Sequence, residues 1–174
     1  MSTNKKAIIK QIFIIGEINH EINKEIVTDL FNTDWKDEKY NELVIYISTC
    51  GGLLSDCFSM IDSIELLKAT YKFKITTVVL GEASSAGFFL FLLGDTRIVL
   101  PNGRMFIHEH ITFTDGQTYS EFKKEEASNT ILYTTYIDYV SKRLKISPNK
   151  VKTLIAKNAW LTRDEMIEWK IIKD

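Results

Sequence analysis

The chain has 174 residues, enough for one domain with its own hydrophobic core. Hydrophobic residues make up 45% and charged residues 26%, the balance of a soluble globular protein. The formal net charge is −1 and no long basic run occurs, which argues against a nucleic-acid partner.

The first residues, MSTNKKAIIKQIFIIGE, are partly basic and partly apolar, but Lys10 and Gln11 interrupt the apolar run and Glu17 follows it. They do not read as a signal peptide, and no apolar stretch is long enough to span a bilayer. Cys50 and Cys57 have no zinc-site spacing and form no disulfide framework, so no metal and a reducing, cytoplasmic location are expected. With two prolines, no low-complexity linker and no repeat, one domain is expected over residues 1–174.

Taken in order, residues 8–15 predict a first strand, ended by Gly16 and Glu17. Residues 18–31 place Ile22, Ile26, Val27 and Leu30 at helical spacing. A polar loop holding Trp35 follows over 32–42, and then a strand, LVIYI, over 43–47. Ser48 to Gly52 is a turn, and residues 53–68 read as a helix. A third strand is expected over 73–80, and short strands over 97–100 and 104–108 with a turn at Pro101-Asn102-Gly103. Residues 112–118, around Asp115-Gly116, read as a hairpin or loop, and 120–144 as a long helix. Ser147 followed by Pro148 starts another helix. Thr162 with Glu165 forms a capping-box pattern at the start of a last one. Strands alternating with helices at crossover-sized intervals predict an α/β fold with a mostly parallel sheet.

The stretch TTVVLGEASSAGFFLFLL, residues 76–93, organises the chain. β-branched residues give way to a run of small ones and then to apolar ones, which reads as strand, tight turn and buried helix. That order places a serine at a helix N-terminus, where backbone N–H groups favour the oxyanion that nucleophilic attack generates. Ala83-Ser84-Ser85-Ala86-Gly87 approximates the G-x-S-x-G elbow, with alanine at the first glycine. A crowded turn that merely needs small residues remains the other reading.

A serine nucleophile needs a base, and the chain offers His20, His108 and His110. His20 begins a polar helix and reads as solvated. His108 ends a strand, where alternation puts His108 and His110 on one face and Glu109 on the other. Gly51-Gly52 allows close approach of the backbone to a substrate carbonyl, although an ordinary turn explains it equally well.

Three motifs together, Ile47 to Gly52, Gly81 to Gly87, and Leu100 to His108, resemble the Clp protease proteolytic subunit family. Asp115-Gly116-Gln117, Trp160-Leu161-Thr162 with Glu165, and Trp169 to Ile172 extend the resemblance from about residue 12 to the end. It implies the spiral α/β fold shared with crotonases, with a head over about residues 8–110 and 145–174 and a projecting handle over about 111–144. The family's activity is serine endopeptidase cleavage of polypeptides inside a self-compartmentalising particle. Carried over by motif, Ser85 matches the nucleophile, His108 the base, and the backbone N–H groups of Gly52 and Ala86 the oxyanion hole. The third triad position, an aspartate in the family, is Asn158 here. Cys50 stands where the family has a proline, Ala86 where it has a methionine, and His110 where it has a proline.

The resemblance further implies a homo-oligomer of heptameric rings stacked as a tetradecamer through residues 111–144. It implies no bound cofactor, ATP being used only by a partner Clp-type ATPase. The chain starts almost at the first matching strand, so the axial N-terminal segment that engages that ATPase is expected to be missing. A short form of this kind fits a virus-encoded chain in a host cytoplasm. Two other readings stand beside the peptidase: a weakly active or inactive subunit that co-assembles with another Clp subunit, and a crotonase-type acyl-CoA enzyme.

Overall fold

The computed structural model describes residues 7–109 and 119–173. The expected loop or hairpin at 112–118, with His110, lies outside them. The chain forms two compact units: one runs to Phe106 and resumes at Trp160, the other is Ile107–Ala159.

The first unit is built on a four-stranded parallel sheet in the order β1-β2-β3-β4. Its strands are β1 (Ile9–Ile15), β2 (Glu42–Thr49), β3 (Lys74–Ala83) and β4 (Thr96–Val99). Three helices make the crossovers: α1 (His20–Asn32), α2 (Leu54–Tyr71) and α3 (Ala86–Leu92). The α/β class expected from the alternation is therefore the observed one. Parallel strands covered by helices read as continuous apolar runs, and β2 and β3 bury Leu43, Val44, Ile45, Ile47, Ile75, Val78 and Val79. All seven residues of α3 are buried. Each fully buried Phe or Leu side chain there contributes roughly 1.5–3 kcal/mol.

Local signals set the helix starts. Asn19 accepts hydrogen bonds from the Glu21 and Ile22 N–H groups at the head of α1. The polar loop before β2 carries a buried anchor: Trp35 stacks on Phe73 with ring centroids 4.4 Å apart and donates its indole N–H to the Leu30 carbonyl.

β3 runs three residues further than its apolar pattern, to Ala83. The extension pairs Ala83 with Thr49 across a register shift, and Glu82 bridges to Arg104. Two short strands, β5 (Met105–Ile107) and β6 (Ala159–Leu161), form a second sheet where the chain leaves and re-enters the first unit. α6 (Arg163–Glu168) opens with the expected capping box: Glu165 N–H donates to Thr162 Oγ1 and Thr162 N–H to Glu165 Oε2.

The second unit holds α4 (Tyr119–Leu144) and α5 (Pro148–Ile155), which pack on each other. Tyr136, Ile137, Val140 and Leu144 of α4 and Val151, Leu154 and Ile155 of α5 are buried. Ser147 caps α5 by accepting from the Lys150 N–H.

Candidate functional site

Two turns of the first unit, each at the end of a parallel strand, pack directly on one another. After β2, Gly51 N–H donates to Thr49 Oγ1 at 3.0 Å. After β3, Ser84 N–H donates to the Thr49 carbonyl at 3.0 Å, which ties the second turn to the first. The fit leaves no room for a side chain at Gly51. A Cβ there would lie 2.6 Å from Ser85 Cβ, 3.0 Å from the Ser84 carbonyl oxygen and 3.2 Å from the Ala86 nitrogen. A Cβ at Gly87 would likewise collide with the Thr49 methyl group. The small residues at 51 and 87 thus serve a close approach of two main chains.

Ser85 sits at the apex. It is the N-cap of α3, with φ 52° and ψ −119°, a backbone conformation that a residue with a β-carbon rarely adopts. Its N–H donates to the Phe106 carbonyl at 3.0 Å. This sharp strand-to-helix turn is the device that lifts a serine hydroxyl clear of its own backbone. Ser84 is excluded from that part: it is 3% exposed, whereas Ser85 is half-buried. Ser84 Oγ has no hydrogen-bond partner among the described residues.

Gly52, the neighbour of Gly51, is held from the other side by Ile18. Ile18 N–H donates to the Gly51 carbonyl at 2.7 Å, and Leu53 N–H donates to the Ile18 carbonyl at 2.8 Å. In this parallel bridge the flanking groups make the bonds, so the N–H of Gly52 itself is directed away from Ile18. Ala86 is the first residue of α3, where backbone N–H groups have no partner within the helix. Its carbonyl accepts from Cys57 Sγ of α2 at 3.2 Å. Burial pushes the Cys57 thiol well above its ordinary range.

The structure therefore sets Gly51, the neighbour of Gly52, against Ser85 and Ala86. His108 and Asn158 belong to the second unit. His108 is half-buried and follows directly on the last residue of β5. Its Nδ1 is hydrogen-bonded to the Glu109 carbonyl. A carbonyl only accepts, so Nδ1 donates in that bond; in the neutral tautomer this leaves the lone pair at Nε2. Asn158 is exposed at the end of α5 with φ 47°, and asparagine is among the residues that tolerate this left-handed backbone.

His20, expected to be solvated, has a largely exposed side chain, yet its Nδ1 is 2.8 Å from Oδ1 of the buried Asp56. Cys50 is exposed, Cys57 is buried, and both are free thiols. No cluster of three or more His, Cys, Asp or Glu among the described residues is arranged to hold a metal. No helix among them is long and apolar enough to cross a membrane.

The profile of the Clp protease family matches residues 3–174, nearly the whole chain. The chain belongs to the Clp protease family. A Clp relative, the ATP-dependent Clp protease proteolytic subunit of Carsonella ruddii (strain PV), is 30% identical over 108 residues. That alignment covers 61% of this chain and 53% of the relative, so the chain spans about half the length of the curated protein it matches.

Residues that the motifs did not single out complete the Clp-type turn. Thr49 joins the two turns through its carbonyl and braces Gly51 through its hydroxyl, and Ile18 brackets Gly52. The glycine pair was the only local sign of Ile18's role. A Cβ at Gly52 would run into the Ile18 carbonyl.

Proposed function

We propose that this chain is a serine peptidase subunit of the Clp type that hydrolyses peptide bonds of unfolded polypeptides. The observation that carries the reading is the strained backbone of Ser85, φ 52° and ψ −119°, wedged against Gly51 at the start of α3. Family membership supports the same reading.

In this mechanism His108 Nε2 accepts the Ser85 hydroxyl proton as Oγ attacks the substrate carbonyl. The N–H groups of Gly52 and Ala86 bind the resulting oxyanion, each donor being worth roughly 2.7–4 kcal/mol. The protonated imidazole then gives its proton to the leaving amine, and an acyl ester remains on Ser85. Water, deprotonated by His108, hydrolyses that ester and regenerates the serine. Asn158 takes the third position and orients the imidazole without supplying a negative charge to stabilise the imidazolium. Turnover is slower than with an aspartate but not abolished. The chemistry needs no bound metal or cofactor; ATP enters only through a partner ATPase.

The proposed assembly is two stacked heptameric rings, with a head made from both ends of the chain and a handle over residues 111–144 that joins the rings. Its substrates are polypeptides, with no role for nucleic acid or a membrane. A second reading, a weakly active subunit that modulates another Clp subunit, is favoured by the uncharged Asn158 in its left-handed turn.

Hydrolysis of a fluorogenic peptide by the assembled protein tests the proposal. Ser85→Ala and His108→Ala each lower kcat by about 100-fold or more while the particle stays intact. Equal hydrolysis by wild type and Ser85→Ala overturns it. An intact particle inactive in every form favours the modulating subunit.

A further inference from the structure

Asp56 is 3% exposed, on the first turn of α2 and four residues beyond Gly52. Its Oδ1 accepts from Asn23 Nδ2 at 2.9 Å and lies 2.8 Å from His20 Nδ1. Oδ2 is enclosed with no partner among the described residues. Burying a carboxylate with a bare oxygen is unfavourable, although the first turn of a helix is where a negative charge is best tolerated. A fold that keeps such a group there gains something from the other oxygen.

That oxygen ties the first turn of α2 to the first turn of α1. His20 and Asn23 belong to α1, whose cap is Asn19, and the residue before the cap is Ile18. Ile18 is the residue whose N–H and carbonyl bracket Gly52. The order is therefore Asp56, then His20 and Asn23, then Ile18, then Gly52, a closed ring of contacts inside the first unit. On its far side a Cβ at Gly51 would run into Ser85 and Ala86.

We propose that Asp56 is a positioning residue: through His20 and Asn23 it holds Ile18 against the Gly51-Gly52 turn and so aims the Gly52 N–H at the substrate oxyanion. The kinetic part of this inference rests on the peptidase reading, while the structural part does not. The oxyanion donor acts in the transition state, so loosening it lowers kcat and leaves substrate binding nearly untouched.

The test joins two measurements on the assembled protein. In Asp56→Ala, amide hydrogen exchange at Ile18 and Leu53, the two N–H groups of the bracket, accelerates about tenfold or more. In the same variant kcat falls about tenfold or more, with KM within about twofold of wild type. The His20 side chain is 80% exposed, so its replacement opens no core cavity, and a thermal melt of each variant checks that it is folded. His20→Leu shifts both readouts in the same direction by a smaller factor, and His20→Gln, which keeps a donor, restores them. Unchanged exchange at both amides in Asp56→Ala and His20→Leu overturns the bracket. Faster exchange with unchanged kcat in an active enzyme overturns the positioning. If wild type hydrolyses nothing, the exchange data still decide the bracket, and only the peptidase reading fails.

Discussion

The α-carbon of Gly51 stands so close to Ser85 that a β-carbon on the glycine would be 2.6 Å from that of the serine. Two costs follow for Gly51→Ala: a residue with a β-carbon at φ 109°, and a collision with Ser85 and the flanking backbone of residues 84–86. Gly16 has a similar φ of 94° but open space around it, so Gly16→Ala carries the first cost alone. Gly16→Ala is expected to lose about 1 kcal/mol and Gly51→Ala about 2–4 kcal/mol of unfolding free energy. Denaturant melts of both variants measure the difference, and equal losses would remove the collision from the explanation.

Strain at Ser85 has its own signature. Ser85→Ala and Ser85→Gly both remove the hydroxyl, but only glycine accepts φ 52° and ψ −119° without penalty. Ser85→Gly is expected to be more stable than Ser85→Ala by about 1–2 kcal/mol, with neither active. Thermal melts of the two variants decide it; an alanine variant as stable as the glycine variant would mean that the turn is relaxed.

Asn158 marks a loss of catalytic charge on the peptidase reading. Asn158→Asp is expected to raise kcat for peptide hydrolysis on the order of tenfold or more, since a carboxylate stabilises the imidazolium. Aspartate is also one of the residues that tolerate φ 47°, so stability should change by less than about 1 kcal/mol. Steady-state kinetics check the first figure, and no gain would count against a triad role for position 158.

Burial raises the Cys57 thiol far above an ordinary thiol at ~8.5. The sign follows from proton binding: above ~pH 8.5 the unfolded chain loses this proton and the folded chain keeps it, so this contribution to stability declines as pH rises. Wild type should therefore lose more stability between pH 8 and 10 (about 1–2 kcal/mol) than Cys57→Ala does. Iodoacetamide at neutral pH should label exposed Cys50 and spare Cys57 until the protein unfolds.

Where side-chain period carries the information, the elements were legible. β1, β2, α2 and the long α4 lie where alternation or helical spacing predicts them, within a few residues. α5 and α6 begin at Pro148 and Arg163 because Ser147 and Thr162 announce them. β6 was missed: Ala159-Trp160-Leu161 is too short to show a period between the turn at Asn158 and the cap at Thr162. The extension of β3 was missed because Gly81, Glu82 and Ala83 pair through their backbones and carry no apolar signal.

The candidate site divides in the same way. Ser85 and the glycine pair were visible as small residues in turns after strands, although small residues alone fit an ordinary crowded turn as well; the motifs taken together singled them out. Asp56 was invisible, since its partners His20 and Asn23 lie 36 and 33 residues away and nothing local marks a charged residue as buried. Trp35 was placed in a polar loop, whereas its ring is buried against Phe73, a pairing that only the folded chain creates.

Intact-mass analysis after exposure to a fluorophosphonate, with the adduct mapped by peptide sequencing, tests the nucleophile most directly. One phosphonyl group per chain on Ser85, absent from Ser85→Ala and slowed in His108→Ala, is the expected result. A folded, assembled protein that takes up no label at Ser85, or takes it up equally without His108, contradicts the assignment of these two residues.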